Sequence, residues 1–135
     1  MATKEFDFKT KKVIDPNARK AAILIKESEE AEPILPVLFD KRYRMLGIVH
    51  KLDEALELLR KHKVGILFLD QDIEGIDVKE NLEFIQRKFP GFEVAVMSGN
   101  VTKERLETAI NNGAIGYLKK PLDKAAIQKV MSRMV

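Results

Sequence analysis

Charged or hydroxyl side chains stand directly after four short apolar runs of this sequence, where each run stops. They are Lys26 and Glu27, then Asp70, then Ser98, and last Lys119 with Lys120. An aspartate can attack phosphorus, a divalent cation and an ammonium can neutralise phosphate oxygens, and a hydroxyl can donate to another oxygen. If the runs are neighbouring strands, their ends meet at one edge, and the set is suited to phosphoryl transfer.

The elements that must position these residues are five apolar runs separated by segments with helical spacing. The runs are AAILI from Ala21, MLGIV from Met45, VGILFL from Val64, VAVM from Val94 and IGYL from Ile115. Short strands that alternate with helices require right-handed crossovers and a parallel sheet covered on both faces. The pattern therefore predicts a doubly wound α/β fold with three layers.

The first predicted helix has the weakest pattern, over residues 29–43. Leu35, Leu38 and Phe39 are spaced so that they can share one face of it. Pro36 is awkward inside a helix, and we expect it to shorten or displace this element.

The fourth and fifth predicted helices have clear starting signals. Thr102 and Asp123 are suitable N-caps for them. In the fourth helix, the spacing of Leu106, Ala109 and Ile110 predicts that these three side chains face inward.

Length and composition are those of one globular domain. The chain has 135 residues, of which 45% are hydrophobic and 33% charged, and it has no cysteine for a disulfide or thiolate site. Residues 1–19 show no sustained period and are predicted to be an N-terminal extension that can be flexible; residues 20–135 form the domain.

The sequence shows neither a membrane-spanning pattern nor a signal-peptide pattern. No apolar run approaches the roughly 20 residues that span a bilayer, and the start of the chain lacks the apolar middle of a signal peptide. The net charge of +3 is small for a nucleic-acid-binding surface. These features predict a cytoplasmic protein that binds neither membrane nor nucleic acid.

Three segments together resemble the receiver domain of bacterial response regulators, from about residue 20 to 135. They are FLDQDI, VMSGN and GAIGYLKKP, in that order. The resemblance implies a flavodoxin-like (βα)5 sandwich with a five-stranded parallel sheet. It also implies roles for four residues: Asp70 as phosphoacceptor, Ser98 as switch hydroxyl, Tyr117 as switch aromatic and Lys120 as the phosphate-binding lysine.

The same resemblance implies a magnesium ion held by Glu27, Asp70 and the backbone carbonyl of Asp72. The family usually has two acids after the first strand, and here Lys26 replaces one of them. Lys26 could repel the cation, at about 1 kcal/mol if solvated and about 4 if partly buried. It could instead pair with Asp70 and Glu27 in place of the metal, or extend into solvent with little effect.

The resemblance implies a switch rather than an enzyme. We expect a stand-alone receiver domain of a two-component phosphorelay, which takes a phosphoryl group onto Asp70 from a histidine kinase or phosphotransfer protein. It would signal to an output protein through the fourth helix, fifth strand and fifth helix, and a homodimer is a further possible assembly.

Two alternatives remain. One is a pseudo-receiver, an interaction module that works without phosphorylation because Lys26 replaces a metal-site acid. The other, a small-ligand domain of flavodoxin type, is disfavoured because Ser28, Glu29 and Glu30 stand where a glycine-rich phosphate loop would be needed.

Overall fold

One parallel sheet of five strands organises the chain. The computed structural model describes residues 5–7, 12–14 and 19–134. Two short strands, β1 (Glu5–Asp7) and β2 (Lys12–Ile14), form an antiparallel pair. The main sheet contains β3 (Lys20–Leu24), β4 (Arg44–Val49), β5 (Gly65–Asp70), β6 (Phe92–Ser98) and β7 (Gly116–Lys119). Their spatial order is β4-β3-β5-β6-β7, and every neighbouring pair is parallel.

Five α-helices connect and follow the strands of the main sheet. They are α1 (Ile34–Asp40), α2 (Leu52–Arg60), α3 (Val78–Lys88), α4 (Lys103–Asn111) and α5 (Lys124–Met131), and a short 3-10 helix (Ser28–Ala31) precedes α1. The predicted flavodoxin-like α/β fold with a five-stranded parallel sheet is confirmed.

The core is divided by the sheet into two apolar layers. Alternate strand residues point to opposite faces, so that Ile23 belongs to one layer and Leu24 to the other. Helices α1 and α5 cover the first layer, and α2, α3 and α4 cover the second. Strand β5 is the central strand of the sheet, and all six of its residues are buried. Its last residue, Asp70, therefore lies at the middle of the sheet edge where the parallel strands end.

The three residues predicted to share a face of α1 differ in their burial, and Leu38 alone among them is buried. Leu35 and Phe39 are 40% and 69% exposed, whereas Ile34, Val37 and Leu38 are buried. The helix is shorter than residues 29–43, as expected from Pro36. Its third residue is a proline, at a position whose N–H has no partner within a helix, so the proline is tolerated there.

The prediction that three side chains of α4 face inward was correct for one of them. Ala109 is fully buried, but Leu106 and Ile110 are 40% and 44% exposed. The N-caps are confirmed: Thr102 accepts a hydrogen bond from the backbone N–H of Arg105 at 3.1 Å, and Asp123 accepts one from Ala126 at 3.1 Å.

Replacing Thr102 by alanine should lower the free energy of unfolding by about 1 kcal/mol, because the first turn of α4 loses its capping acceptor. Urea denaturation measures this change. Thr102→Ser is the matched control, since it keeps a hydroxyl at the same position. Equal destabilisation by both variants would contradict the capping role.

The predicted extension, residues 1–19, contains two strands that the sequence pattern did not indicate. Most of this segment, and the prediction that it can be flexible, lies outside the described residues. Within the part of the chain that the structure describes, no helix is long and apolar enough to cross a membrane.

Candidate functional site

Three polar side chains are buried together where the parallel strands end. Asp70 and Ser98 are fully buried and Lys120 is 9% exposed; no other polar or charged residue in the described ranges is buried. Asp70 ends β5 and Ser98 ends β6, and β7 leads directly into Lys120. The backbone N–H of Lys120 donates to the carbonyl of Ser98 at 2.9 Å, which holds the two strand ends together.

Asp70 accepts hydrogen bonds on both carboxylate oxygens. The Lys120 ammonium donates to Oδ2 at 2.6 Å, and the backbone N–H of Lys26 donates to the same oxygen at 2.8 Å. The backbone N–H of Asp72 donates to Oδ1 at 2.9 Å. Short bonds from charged or backbone donors stabilise a carboxylate, so this buried acid is well satisfied as an anion.

Lys120 is the cationic centre of the site and contacts three carboxylates. Besides Asp70, its Nζ lies 3.1 Å from Glu30 Oε1 and 3.5 Å from Asp72 Oδ2. Burial alone would lower the pKa of the Lys120 ammonium, but the hydrogen bonds and charges of Asp70 and Glu30 outweigh it and raise that pKa. The ammonium is therefore charged throughout the neutral range.

Ser98 directs its hydroxyl at Asp72. The Oγ–H donates to Asp72 Oδ1 at 2.8 Å, and the backbone N–H of Gly99 donates to Asp72 Oδ2 at 2.7 Å. Ser98 Oγ also accepts from the backbone N–H of Asn100 at 3.0 Å. Burial would raise the pKa of the Asp72 carboxyl, but the bonds from Gly99 and Ser98 and the charge of Lys120 hold it below its ordinary value.

Tyr117 lies on β7 and its side chain is half-buried. Its hydroxyl donates to Gln71 Oε1 at 2.6 Å, which links β7 to the segment directly after Asp70. Burial raises the pKa of the Tyr117 hydroxyl above its ordinary value, so the group stays a protonated donor at neutral pH.

The segment after β3 brings Lys26 and Glu27 to the same edge, with both side chains exposed. The backbone N–H of Lys26 fixes this segment against Asp70. Of the three alternatives for Lys26, the exposed side chain argues against pairing with Asp70 or Glu27, and the two alternatives with a solvated ammonium, repulsion of the cation and little effect, stay open. Among the described residues its ammonium makes no ion pair, so it does not replace the metal by pairing with Asp70 or Glu27.

The donor chemistry fits a hard divalent cation such as Mg²⁺, which prefers oxygen ligands and keeps several waters. Glu27 has a carboxylate without an ion pair or hydrogen bond in the described part of the chain, and its segment is tied to Asp70. The described ranges contain no group of three or more acids and histidines that could hold a metal, so backbone carbonyls and waters would have to complete the coordination.

Several contacts of the site were not anticipated from sequence. Glu30 reaches Lys120 across 90 residues of chain, and Arg105 lies 3.4 Å from Ser98 Oγ. His50 directly follows β4 and contacts the segment after β3 with both ring nitrogens. Nδ1 is 2.8 Å from the carbonyl of Ile25, and Nε2 is 3.2 Å from Ser28 Oγ. No sequence pattern indicated these partners, since each depends on a loop conformation.

A family model for the response regulator receiver domain matches residues 23–132. With the fold and the strand-end residues described above, this shows that the chain belongs to the response regulator receiver domain family. The resemblance carried by the three sequence segments is thereby confirmed.

Individual relatives are distant. A putative NtrX-like response regulator of Rickettsia conorii is 32% identical over 82 residues, which are 59% of this chain but only 17% of that protein. The crystal structure of HP1043, an orphan response regulator of H. pylori, superposes with a TM-score of 0.75 at 20% identity, covering 90% of this chain and 100% of that one. An atypical orphan response regulator described as having a phosphorylation-independent regulatory mechanism gives a TM-score of 0.71 at 20% identity, covering 85% and 94%.

Proposed function

We propose that this receiver domain accepts a phosphoryl group on Asp70 and passes the signal on through protein contacts. The observation that carries the proposal is the buried ion pair between Asp70 Oδ2 and Lys120 Nζ at 2.6 Å, beside the buried hydroxyl of Ser98. An acid, an ammonium and a hydroxyl are thus held where the strand ends meet, which is where ligands bind in parallel sheets.

The proposed step is a displacement at phosphorus. A carboxylate oxygen of Asp70 forms the new P–O bond, and the bond from phosphorus to the donor's leaving atom breaks with its electron pair on that atom. Lys120 neutralises phosphoryl oxygens and Ser98 donates to one of them. Glu27 and Asp70, with the backbone carbonyl of Asp72, would hold Mg²⁺, which when bound would offset the charge of the phosphoryl group.

The proposed output surface is formed by α4, β7 and α5. Ser98 directly precedes the loop into α4, and Tyr117 lies on β7, so both can transmit a change from Asp70 to this surface. Three apolar side chains at its α4 side are exposed, namely Val101, Leu106 and Ile110. Exposed apolar groups of this kind are typical of surfaces that bind another protein.

The proposed partners are a cytoplasmic histidine kinase or phosphotransfer protein as donor and an unidentified output protein. We place the domain in the cytoplasm with them, and a second copy of the chain is a further proposed partner. In this role the domain is a signalling module and not an enzyme.

A second candidate function is that of a pseudo-receiver that binds its partner without phosphorylation. The observation that favours it is the number of donors already on Asp70, whose oxygens accept three hydrogen bonds while the residue is fully buried. Hydrogen bonds of this kind stabilise the carboxylate and make it a weaker nucleophile. The orphan regulator with a phosphorylation-independent mechanism has a similar fold, which supports this candidate only at the level of the fold.

Incubation with the small-molecule donor acetyl phosphate distinguishes the two functions. With millimolar Mg²⁺ we expect the mass of the intact protein to increase by one phosphoryl group, and without Mg²⁺ we expect little or no increase. Asp70→Asn is the control, since it keeps the shape of the side chain but removes the nucleophile.

A metal-dependent mass increase that is absent from the control supports the phosphoryl switch. If no increase is found at millimolar Mg²⁺, or if Asp70→Asn gains the same mass, phosphorylation of Asp70 is refuted and the pseudo-receiver is favoured.

A further inference from the structure

The carboxylate of Asp72 receives the donors that a phosphoryl group on Asp70 would need. The Ser98 hydroxyl donates to Asp72 Oδ1 at 2.8 Å, and the Gly99 backbone N–H donates to Oδ2 at 2.7 Å. Lys120 Nζ is 3.5 Å from the same Oδ2. A hydroxyl, a backbone N–H and an ammonium therefore surround an anion that already belongs to the chain.

These donors also lie next to the Asp70 carboxylate, where a phosphoryl group would be attached. Lys120 contacts both carboxylates, and the backbone N–H of Asp72 donates to Asp70 Oδ1 at 2.9 Å. Any phosphoryl oxygen attached to Asp70 within reach of Lys120 and Ser98 would have to occupy the space next to the Asp72 carboxylate. Two anions cannot share one hydroxyl donor and one N–H donor without weakening the bonds of both.

The remaining contacts of Ser98 hold its hydroxyl in this orientation. Its Oγ accepts from the Asn100 backbone N–H at 3.0 Å, and Arg105 Nη1 lies 3.4 Å from Oγ and 3.3 Å from the Asn100 carbonyl. Two acceptors lie within reach of the hydroxyl proton, Asp72 Oδ1 at 2.8 Å and the Asn100 carbonyl at 3.2 Å. The Asp72 carboxylate is both nearer and charged, so it is the stronger acceptor.

We infer that Asp72 is an intramolecular substitute for the phosphoryl group, which occupies the phosphoryl-binding donors and must release them before Asp70 can be stably phosphorylated. The inference deepens the proposed function and rests on it. It assigns Asp72 a positioning role through its side chain, separate from the backbone carbonyl expected to face the metal. Ser98 and Gly99 are accordingly bound to an anion while Asp70 is unmodified.

The test compares the rate of phosphorylation by acetyl phosphate at saturating Mg²⁺ in four proteins: wild type, Asp72→Ala, Asp72→Asn and Glu74→Ala. Removing the competing carboxylate should raise the rate about 10-fold in Asp72→Ala, in keeping with the loss of charge-assisted hydrogen bonds. Asp72→Asn, which keeps the side-chain shape, should lie between Asp72→Ala and wild type. Glu74→Ala removes an exposed acid from the same loop and should match wild type.

A second measurement reports on the contact without any phosphodonor. In wild type, the amide proton of Gly99 should resonate far downfield in a ¹H–¹⁵N spectrum because it donates to a carboxylate, and this shift should be lost in Asp72→Ala but kept in Glu74→Ala. If wild type is phosphorylated and Asp72→Ala is phosphorylated no faster, the inference is refuted while the proposed function stands. If no protein gains a phosphoryl group on Asp70, the proposed function fails and the inference falls with it. An unchanged Gly99 shift in Asp72→Ala also overturns the inference.

Discussion

Replacing Lys120 by methionine is expected to lower the free energy of unfolding by about 3–5 kcal/mol, the usual cost of removing one partner from a buried ion pair. Asp70 is fully buried, and its shortest contact is the one to the Lys120 ammonium at 2.6 Å. Methionine fills a similar volume but leaves that carboxylate, together with Glu30 and Asp72, without a cation. Urea denaturation of wild type and variant measures the difference.

The double variant Lys120→Met, Asp70→Asn is the control for this result. Because the buried charge is then removed together with its partner, most of the lost free energy of unfolding should return. If the double variant is as unstable as the single one, the loss comes from packing around residue 120 and not from the unpaired carboxylate.

The same ion pair sets a pH dependence with a defined sign. The pKa of Lys120 is raised in the folded state, so its contribution to stability is fully present below the ordinary value of 10.5 and is lost as the pH rises through the folded-state value. Asp72 has the opposite sign. Its pKa is lowered, so its contribution is present above the ordinary value of 3.8 and is lost as the pH falls through the folded-state value.

The sheet and the strand-end residues could be predicted because both depend on strong local signals. The run before Asp70 is wholly apolar and becomes the fully buried strand β5, so that the aspartate can lie only at the strand's end. Ser98 and Lys120 follow the next two strands in the same way. Since parallel strands place their carboxyl ends at one edge, the convergence of these three residues follows from the fold alone.

Helix faces were predicted less well because more than one set of residues satisfied the same spacing. In α1, the set Leu35, Leu38 and Phe39 has the same three- and four-residue intervals as the set Ile34, Val37 and Leu38. Packing against α5 and β4 selects the second set. In α4, Ala109 is fully buried in the second apolar layer, while the larger neighbours Leu106 and Ile110 remain partly exposed.

The role of the Asp72 side chain could not be predicted because it depends on two loops meeting. Asp72 and Ser98 are 26 residues apart, and Glu30 and Lys120 are 90 apart. Spacing rules describe neighbours on one helix or strand and carry no information on such contacts. The sequence therefore identified the groups at the site, but it did not predict which acceptor the Ser98 hydroxyl bonds.

Replacing Lys26 by aspartate is expected to strengthen Mg²⁺ binding roughly 30-fold. The Lys26 side chain is exposed, so a water-like dielectric applies, and one unit of charge about 8 Å from a doubly charged ion contributes about 1 kcal/mol. The substitution changes two units, one by removing the ammonium and one by adding a carboxylate, which gives about 2 kcal/mol. Isothermal titration calorimetry with MgCl₂ measures the affinity directly, without any phosphodonor.

Lys63→Asp is the matched control for Lys26→Asp because it makes the same charge change at the other end of the sheet. Residue 63 precedes β5, whereas Asp70 ends it, and the intervening strand is about 20 Å long at 3.3 Å per residue. That separation exceeds the Debye length of about 10 Å at 0.1 M salt, so Lys63→Asp should leave Mg²⁺ affinity near that of wild type. Equal gains in both variants would show that net charge alone sets the affinity. No gain in Lys26→Asp would show that the segment after β3 does not reach the metal, in which case Glu27 would not be a ligand either.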